Sequence, residues 1–512
     1  MPFSPTSMRR FIDSRYFLAV CSFTVGAAVM TIEMTASRVL APHFGASLFV
    51  WTALIVTVLT SMLVGYWVGG RLARRHGEGL GLLFCSAAVS LMLGMFAVQS
   101  TSNLLAVVLH RMDLAAAVLF LGSLLLSFVV FSVPVFLLAA AGPIVMSRWL
   151  AVSDDVGGTT GRYFALSTVG SVVGTVAPSL FLVPTFGVRI TMMLVAGVLG
   201  VLGLLALTGL LRWLSMMLVV VGILAVLMQA RTVSSDVVYE RETPYQLVRV
   251  EERDGRRYLI FNEGSGVQSV YFPDSDRTDL YFDHLAAVPF LGGGNGDSLK
   301  VAVLGLAGGT AVRQMVSALP PDATMDIVGV ELDPDVVEVA RDWFGLDELP
   351  MKVVRSDGRT FLDADRKYDL IIVDAYSTQL YIPPHMTTRE FFALVRSRLN
   401  GGGLLVMNVN AAERSSRLLL AITNTLASVF PEVHLSKAGR SWNWLVVAGD
   451  RAPDYTNAMS HLPDGYSDVT EALAVAERVA FDPAGELLTD DRAPIELMTE
   501  KMVFAEALLG GN

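Results

Sequence analysis

The chain has 512 residues, of which 53% are hydrophobic and only 17% are charged, and its mean hydropathy is +0.54. This length exceeds one ordinary domain, and so apolar a composition excludes a wholly water-soluble globule. Residues 1–235 carry 13 Arg, no Lys and 6 acids, a net charge of +7, whereas residues 236–512 carry 25 bases and 42 acids, a net charge of −17. We therefore expect a membrane domain over 1–235 and an acidic, water-soluble part after it, and no nucleic-acid partner, since that needs a basic surface.

Apolar stretches long enough to cross about 30 Å of hydrocarbon fill most of the first 235 residues. The fourth stretch has about twice the necessary length and contains Pro134 and Pro143. It is therefore either one long kinked helix or a tight pair, so that the sequence predicts an all-α polytopic bundle of seven or eight helices. The stretches fall at 16–37, 48–70, 80–100, 113–149, 163–184, 188–208 and 213–230.

The number of spans decides on which side of the membrane the second part of the chain lies. Arginine clusters within 9–15 and 71–75 favour a cytoplasmic N-terminus and a cytoplasmic second loop. Eight spans would return the second part to the cytoplasm, and seven would leave it outside. We favour eight spans, or an unusual seventh segment, because the chemistry expected of the second part needs a cytosolic cofactor.

After the membrane domain, three short strands predict a small β module over residues 236–290. They lie at 245–253, 256–262 and 267–272, and Asp254-Gly255 turns the first into the second. From Lys300 onward strands alternate with helices, which predicts a doubly wound parallel sheet. The last two strands have no helix between them, so we expect an antiparallel pair at the edge. This pattern indicates an α/β class I methyltransferase-like (Rossmann-like) domain over 291–512.

A glycine-rich loop follows the first strand of that domain and precedes a helix. Gly305, Gly308 and Gly309 let the backbone approach a nucleotide or amino-acid moiety, although a tight strand-to-helix turn also needs glycine. Glu331 ends the second strand 22 residues after Gly309, about where a carboxylate meets ribose hydroxyls. Together the two features favour a cofactor that contains adenosine.

Two further acids end the third and fourth strands of the predicted sheet. Asp357 is placed to accept a hydrogen bond from an adenine amino group. Asp374 is aimed past the cofactor, at the centre of the carboxyl edge, where a base takes a proton from an incoming amine. A solvated strand end is the alternative for each acid alone. Because glycine or polar residues occupy four successive strand ends, we favour a binding site with Asp374 as its catalytic base.

These residues resemble the spermidine synthase (polyamine aminopropyltransferase) family, in particular its membrane-fused bacterial branch, over essentially the whole chain. Several weak motifs occur in the order that the family has them. In the second part they are Tyr245-Gln246, Gly266–Ser269, Tyr281 ahead of Asp283, Leu285–Pro289, Gly305–Gly309, Val330–Asp333 and Asp374. Tyr163–Ser171 is similar to a loop-to-helix motif of the membrane-fused branch, and Leu488–Glu496 is similar to its C-terminal tail.

The resemblance implies transfer of an aminopropyl group from decarboxylated S-adenosylmethionine to an amine. It implies that Gln246 and Gln268 contact the nucleoside or its sulfur side, that Glu331 contacts the ribose, and that Asp357 contacts the adenine. No metal is needed, because the sulfonium is already a good leaving group. The implied location is a bacterial inner membrane, with lipid and a small amine or polyamine as partners and a homo-oligomer as a possibility.

At the acceptor end the resemblance implies that Asp374 frees the attacking amine, that Tyr281 helps to place it, and that Asp283 and Tyr376 bind the substrate. The sequence departs from the family pattern here. Gly308 and Ser377 stand where the family has acids, and Phe282 and Asp283 replace its histidine and glutamate. A dicationic amine needs anionic partners in a partly desolvated pocket, so these departures disfavour putrescine as the acceptor.

Two other interpretations remain open on the sequence alone. The first is methyl transfer from S-adenosylmethionine itself, whose carboxylate is tolerated because Gly308 removes a repelling acid. The second is a non-enzymatic transporter or sensor that binds a nucleoside or polyamine. Glu33 is the one acid well inside a predicted span, and it bears on this second interpretation. It either pairs with a group such as Arg38 and holds the bundle together, or it takes part in transport or proton relay.

Overall fold

A computed structural model of the chain describes residues 13–44, 48–73, 79–109, 115–228, 236–262, 266–362, 364–376, 380–439 and 441–509. The chain divides into two compact units, Met1–Thr232 and Val233–Asn512. The structure keeps residues 236–290 and 291–512, which the sequence predicts as separate domains, within one unit. Ser377, which stands where the family has an acid, lies outside the described residues.

In its described residues the first unit is entirely helical. Its helices are α1 (Arg15–Phe44), α2 (Leu48–Leu72), α3 (Gly79–Leu109), α4 (Ala115–Ala151), α5 (Val156–Ala177), α6 (Val183–Leu205) and α7 (Gly209–Met228). Five segments are long and apolar enough to cross a membrane, at 15–40, 50–72, 79–98, 121–151 and 156–205. The predicted N-terminal helical region is therefore confirmed.

The long fourth stretch forms one helix. α4 runs for 37 residues through Pro134 and Pro143 without a break. Proline removes one backbone hydrogen bond and crowds the preceding turn, but it does not oblige a helix of this length to end. The fourth stretch therefore supplies one of the seven described helices of this unit, which is the lower of the two predicted numbers.

The contact between α1 and α5 depends on two glycines of α5. A Cβ on Gly170 would overlap the carbonyl oxygen of Phe23, and a Cβ on Gly174 would overlap that of Ala27. Thr31 of α1 donates from Oγ1 to the carbonyl oxygen of Gly174 at 3.2 Å. Because the glycines have no side chain, the two backbones pack in direct contact.

The second unit opens with a four-stranded antiparallel sheet in the order β1-β2-β3-β4. The strands are β1 (Val237–Glu242), β2 (Leu247–Arg253), β3 (Arg256–Phe261) and β4 (Val267–Tyr271). Asp254 and Gly255 have φ values of 51° and 73°, so both occupy the left-handed region that a tight hairpin turn requires. The three predicted strands are confirmed. The sequence did not reveal β1, a half-exposed edge strand without regular alternation.

The main sheet has eight strands in the order β12-β10-β11-β9-β8-β5-β6-β7. They are β5 (Leu299–Leu304), β6 (Met325–Glu331), β7 (Met351–Arg355), β8 (Tyr368–Val373), β9 (Leu399–Asn410), β10 (Glu432–Lys437), β11 (Asn443–Gly449) and β12 (Glu477–Arg478). Strands β5 to β9 pair in parallel, and β10 pairs with β11 antiparallel. The predicted Rossmann-like fold and its antiparallel edge are confirmed.

Helices cover both faces of this sheet, as two buried clusters show. Val301 and Val303 of β5 pack into one cluster, and Ala302 and Leu304 pack into the other, because alternate residues of a strand face opposite sides. The helices are α8 (Thr310–Ser317), α9 (Pro334–Phe344), α10 (Gly358–Phe361), α11 (Arg389–Arg398), α12 (Arg417–Ala427), α13 (Tyr455–His461), α14 (Ser467–Ala474) and α15 (Ile495–Leu509). A 3₁₀ segment, Tyr281–Phe290, precedes β5.

Replacing Gly174 by Ala is expected to lower the apparent unfolding temperature of the full chain in detergent. The added methyl group would overlap backbone atoms of α1, and such overpacking costs about 1–3 kcal/mol. Gly197→Ala is the matched control, since a Cβ there meets no atom within 4 Å. Equal melting curves for the two variants would contradict the proposed close contact.

Candidate active site

A pocket of about 1020 Å³, the donor pocket, lies at the carboxyl ends of β5, β6, β7 and β8. Open α/β sheets bind ligands at this edge. Eight of the eleven residues expected from the sequence line it. They are Gln246, Gln268, Tyr281, Gly305, Glu331, Asp357, Asp374 and Tyr376.

Gly305 allows the loops after β5 and β8 to touch. Its φ is 91°, and a Cβ there would overlap the carbonyl oxygen of Asp374. Gly309, with φ 84°, precedes α8, and a Cβ would lie 2.8 Å from Leu346. Neither requirement involves a ligand, so both glycines are needed for the turn itself.

Gly308 does not line the donor pocket. Its N–H donates to Oγ of Ser269 at 2.8 Å, and a Cβ on Gly308 would lie 2.7 Å from the Cβ of Ser269. Strand β4 therefore occupies the space into which a side chain at position 308 would grow. An acid at this position would require β4 to move.

Glu331 braces the loop after β5. Its Oε2 accepts from the N–H of Ala307 at 2.9 Å, and its Oε1 accepts from the N–H of Asp333 at 3.1 Å. Burial raises the pKa of Glu331, and the hydrogen bonds from Asp333 and Ala307 oppose this rise. Each carboxylate oxygen has two lone pairs, so one acceptor site on each remains for a hydroxyl group in the pocket.

Asp357 caps the short helix α10 and also faces the donor pocket. Its Oδ1 accepts from the N–H of Thr360 at 2.9 Å, and its Oδ2 lies 3.1 Å from Nε2 of His385. Partial burial raises the pKa of Asp357, but the bond from Thr360 and the contact with His385 outweigh it, so the pKa is lowered overall. The carboxylate is therefore held in its charged, accepting form.

The Asp374 carboxylate is held between two neutral donors. The hydroxyl of Tyr281 donates to Oδ2 at 2.7 Å, and Nδ2 of Asn408 donates to Oδ1 at 2.9 Å. Burial raises the pKa of Asp374, while these two bonds lower it and leave a net rise. Burial and the charge of Asp374 raise the pKa of Tyr281 well above its usual value, so the hydroxyl stays protonated and donates.

Asn408 is a site residue that the sequence analysis missed. It lies near the end of β9 and is only 4% exposed. Its Oδ1 accepts from Nδ2 of Asn443 at 3.0 Å, which fixes which end of its amide faces Asp374. No sequence signal identified it, because an amide within the buried run Leu404–Val409 must have partners, but only the fold shows which they are.

Asp283 does not line the donor pocket, contrary to the substrate contact implied by the resemblance. It is fully buried, and its carboxylate accepts from the N–H and Oγ1 of Thr278, at 2.8 and 2.7 Å, and from the N–H of Asp279 at 2.9 Å. The guanidinium of Arg277 lies 3.2 Å away. Its acceptor sites are thus committed to the chain before the 3₁₀ segment, which carries Tyr281.

Comparison with known proteins agrees with the geometry. Residues 281–438 match the family model described as the spermine/spermidine synthase domain. The chain is 30% identical over 295 residues to a probable polyamine aminopropyl transferase of Bifidobacterium longum, an alignment that covers 52% of this chain and 62% of that protein. It is 27% identical to a polyamine aminopropyltransferase of Vibrio vulnificus over 52% of this chain and 92% of that protein.

Residues 281–438 therefore carry a spermine/spermidine synthase domain, and the two relatives align over about half of this chain. Both relatives are named as transferases of an aminopropyl group, and not of a methyl group. Among solved structures, a probable spermidine synthase from Corynebacterium glutamicum aligns with a TM-score of 0.40 and 19% identity, over 49% of this chain and 96% of that chain.

Replacing Asp283 by Ala is expected to lower the stability of the protein, because it leaves three donors and part of the Arg277 charge without their acceptor. The expected cost is on the order of 3 kcal/mol, measured as a lower unfolding temperature of the detergent-purified chain. Asp468→Ala is the matched control. Asp468 pairs with the same Arg277 at 3.0 Å but is half-exposed, so its loss is expected to cost about 1 kcal/mol or less. Unchanged stability in Asp283→Ala would contradict the structural role.

Proposed function

We propose that the protein transfers an aminopropyl group from decarboxylated S-adenosylmethionine to an amine acceptor, with Asp374 as the base. One observation carries this proposal: Asp374 lines the donor pocket and is hydrogen-bonded to Tyr281 and Asn408, which both line a neighbouring pocket of about 1030 Å³. The carboxylate thus lies where a donor in one pocket and an acceptor in the other would meet.

The donor pocket supplies acceptors for a nucleoside at suitable places. The remaining lone pairs of Glu331 would accept from ribose hydroxyls, and the charged carboxylate of Asp357 would accept from the adenine amino group. Gln246 and Gln268 line the same pocket and would contact the nucleoside or its sulfur side. The spermine/spermidine synthase domain over 281–438 and the names of the relatives support this assignment.

The reaction balances without a further reagent. The acceptor arrives as an ammonium ion and gives one proton to the Asp374 carboxylate. The freed lone pair attacks the methylene carbon next to the sulfonium, so that a C–N bond forms while the C–S bond breaks. The sulfur keeps the electron pair and becomes the neutral thioether of methylthioadenosine. The product leaves as a secondary ammonium ion, and Asp374 releases the proton it took to water, which restores the carboxylate. Alignment and deprotonation are all that the protein must supply.

The raised pKa of Asp374 suits this role. A carboxylate that burial makes more basic takes a proton from an ammonium more readily than an exposed one. The bonds from Tyr281 and Asn408 lower the pKa of Asp374 and so oppose the rise that burial causes. Both properties depend on the same enclosed position between the two pockets.

We further propose that the first unit anchors the enzyme in a bacterial inner membrane and that the second unit lies in the cytoplasm. The five long apolar segments support the first statement. The second rests on the donor, because a charged sulfonium nucleoside made inside the cell does not cross a bilayer unaided.

Methyl transfer from S-adenosylmethionine is the second candidate, and one observation favours it. Position 308 carries no acid, and β4 fills the space that an acid would need. A donor that retains its own carboxylate would therefore meet no repelling charge from this position. Binding of the two donors, compared on the same protein, distinguishes the two reactions.

Decarboxylated S-adenosylmethionine and methylthioadenosine are expected to raise the unfolding temperature of the detergent-purified full chain, because each binds only the folded state. Glu331→Ala should abolish the rise, since it removes the ribose acceptor. Glu338→Ala, at an exposed acid of α9, is the control and should leave the rise intact. A larger rise with S-adenosylmethionine and S-adenosylhomocysteine would instead support methyl transfer, and no rise with any of the four would contradict a nucleoside site.

Removing either hydrogen bond to Asp374 is expected to move the acid limb of the kcat/KM profile to higher pH. Each bond lowers the pKa of the carboxyl group, so Asn408→Leu and Tyr281→Phe should each raise it, and the base is then ionised only at higher pH. A shift of about one pH unit is expected, because a hydrogen bond to a charged group contributes about 1.5 kcal/mol. An acid limb that stays in place or moves to lower pH in both variants would contradict Asp374 as the base.

A further inference from the structure

The neighbouring pocket, here called the acceptor pocket, adjoins the donor pocket, and Tyr281, Tyr376, Gln268 and Phe282 line both. The hydroxyl of Tyr376 donates to the backbone carbonyl of Asn408 at 3.0 Å and accepts from the N–H of Asn410 at 3.0 Å. The tyrosine wall between the pockets is therefore fixed to β9. Tyr281 and Asn408 line the acceptor pocket, and both donate hydrogen bonds to the carboxylate of Asp374.

The described lining of the acceptor pocket is neutral. Leucine, phenylalanine, valine and tryptophan side chains form its apolar part, and amides and a serine form its polar part. Apolar contacts come from Val267, Leu280, Phe282, Leu380 and Trp442, and polar ones from Gln268, Asn408, Asn410, Ser441 and Asn443. Within the described residues, no Asp, Glu, Lys or Arg belongs to this lining.

The amides on one side of the pocket are committed to a single chain of hydrogen bonds. Oγ of Ser441 donates to Oδ1 of Asn443 at 2.7 Å, Nδ2 of Asn443 donates to Oδ1 of Asn408 at 3.0 Å, and Nδ2 of Asn408 donates to Asp374 at 2.9 Å. A carboxylate only accepts, so the direction of the whole chain is set at Asp374. The amide groups of this chain therefore orient the Asp374 carboxylate and do not compensate the charge of a second ammonium group.

An ammonium group brought into such a pocket loses hydration and needs a negative partner in return. Asp374 provides one negative charge, and the reacting amine uses it. A second ammonium at the other end of a diamine would lie against amides and apolar side chains. An alkyl chain or a hydroxyl group in the same place would be bound without that cost.

We propose that the acceptor is a primary monoamine with an uncharged, partly apolar tail, and not a diamine. This inference rests on the proposed aminopropyl transfer and adds to it the class of the acceptor. It assigns the selection of the acceptor to the neutral lining of the acceptor pocket. Asn410 is the residue of this lining chosen for the test, because its backbone N–H donates to the hydroxyl of Tyr376.

The test compares acceptors of equal length on the detergent-purified full chain, with decarboxylated S-adenosylmethionine as donor. Release of methylthioadenosine is measured with putrescine, with the amino alcohol of the same chain length and with the alkylamine of the same length. We expect kcat/KM for the better monoamine to exceed that for putrescine at least about tenfold, the ratio expected when one charged group is left unpaired. Putrescine used as well as or better than both monoamines would overturn the inference.

A negative charge in the lining of the acceptor pocket is expected to reverse the preference for monoamines over putrescine. Asn410→Asp adds a carboxylate at nearly constant volume and should raise kcat/KM for putrescine relative to the monoamines about tenfold or more. Asn410→Ala, which removes the amide without adding a charge, is the matched control and should not favour the diamine. Equal acceptor preference in the Asn410→Asp variant and the parent chain would count against this lining as the selecting element.

Glu263, which precedes Gly266 in the sequence, lies outside the described residues and serves as a second check. Glu263→Gln should leave the ratio between putrescine and the monoamines unchanged, and a selective loss of putrescine turnover would overturn the neutral-tail inference. The proposed function fails on a different result. If none of the amines supports release of methylthioadenosine, both proposals fall. If putrescine is the preferred acceptor, only the proposed acceptor class is wrong.

Discussion

The geometry of the site depends on the two hydrogen bonds that the Tyr281 hydroxyl and the Asn408 amide donate to the Asp374 carboxylate. The three residues come from three different places in the fold: the start of the 3₁₀ segment, the strand end after β8, and β9. The carboxylate is buried enough for its pKa to rise, yet it keeps a donor on each oxygen. A buried acid with fewer donors would stay protonated, and an exposed one would be a weaker base.

Much of the surrounding structure has the effect of holding these three groups in place. The absent Cβ of Gly305 lets the loop after β5 rest on the backbone of Asp374, and Glu331 ties the same loop to the end of β6. Asp283 closes the turn from which Tyr281 projects. The nucleoside side and the base are therefore parts of one framework, in which the carboxyl ends of four parallel strands set the spacing.

Features that depend on position along a strand were the most predictable from the sequence. Glu331, Asp357 and Asp374 each end a parallel strand, and such ends share one edge of the sheet, so their meeting in one pocket was foreseeable. Asp283 was not foreseeable in this way, because its hydrogen bonds arise from a local turn that has no periodic pattern. Asn408 lies within a buried strand, where an amide gives no signal until its partners are known. The sequence left open whether the fourth stretch forms one helix or two for a related reason, since proline permits both a break and a continuous helix.

The central claim is that Asp374 acts as a base between a bound nucleoside donor and an amine, and Asp374→Asn tests it most directly. The variant keeps the shape of the side chain but removes its basicity. We predict that methylthioadenosine still raises its unfolding temperature as in the parent chain, while release of methylthioadenosine from decarboxylated S-adenosylmethionine and an amine falls by about 10²- to 10⁴-fold. Full turnover in the variant, with binding intact, would contradict the account.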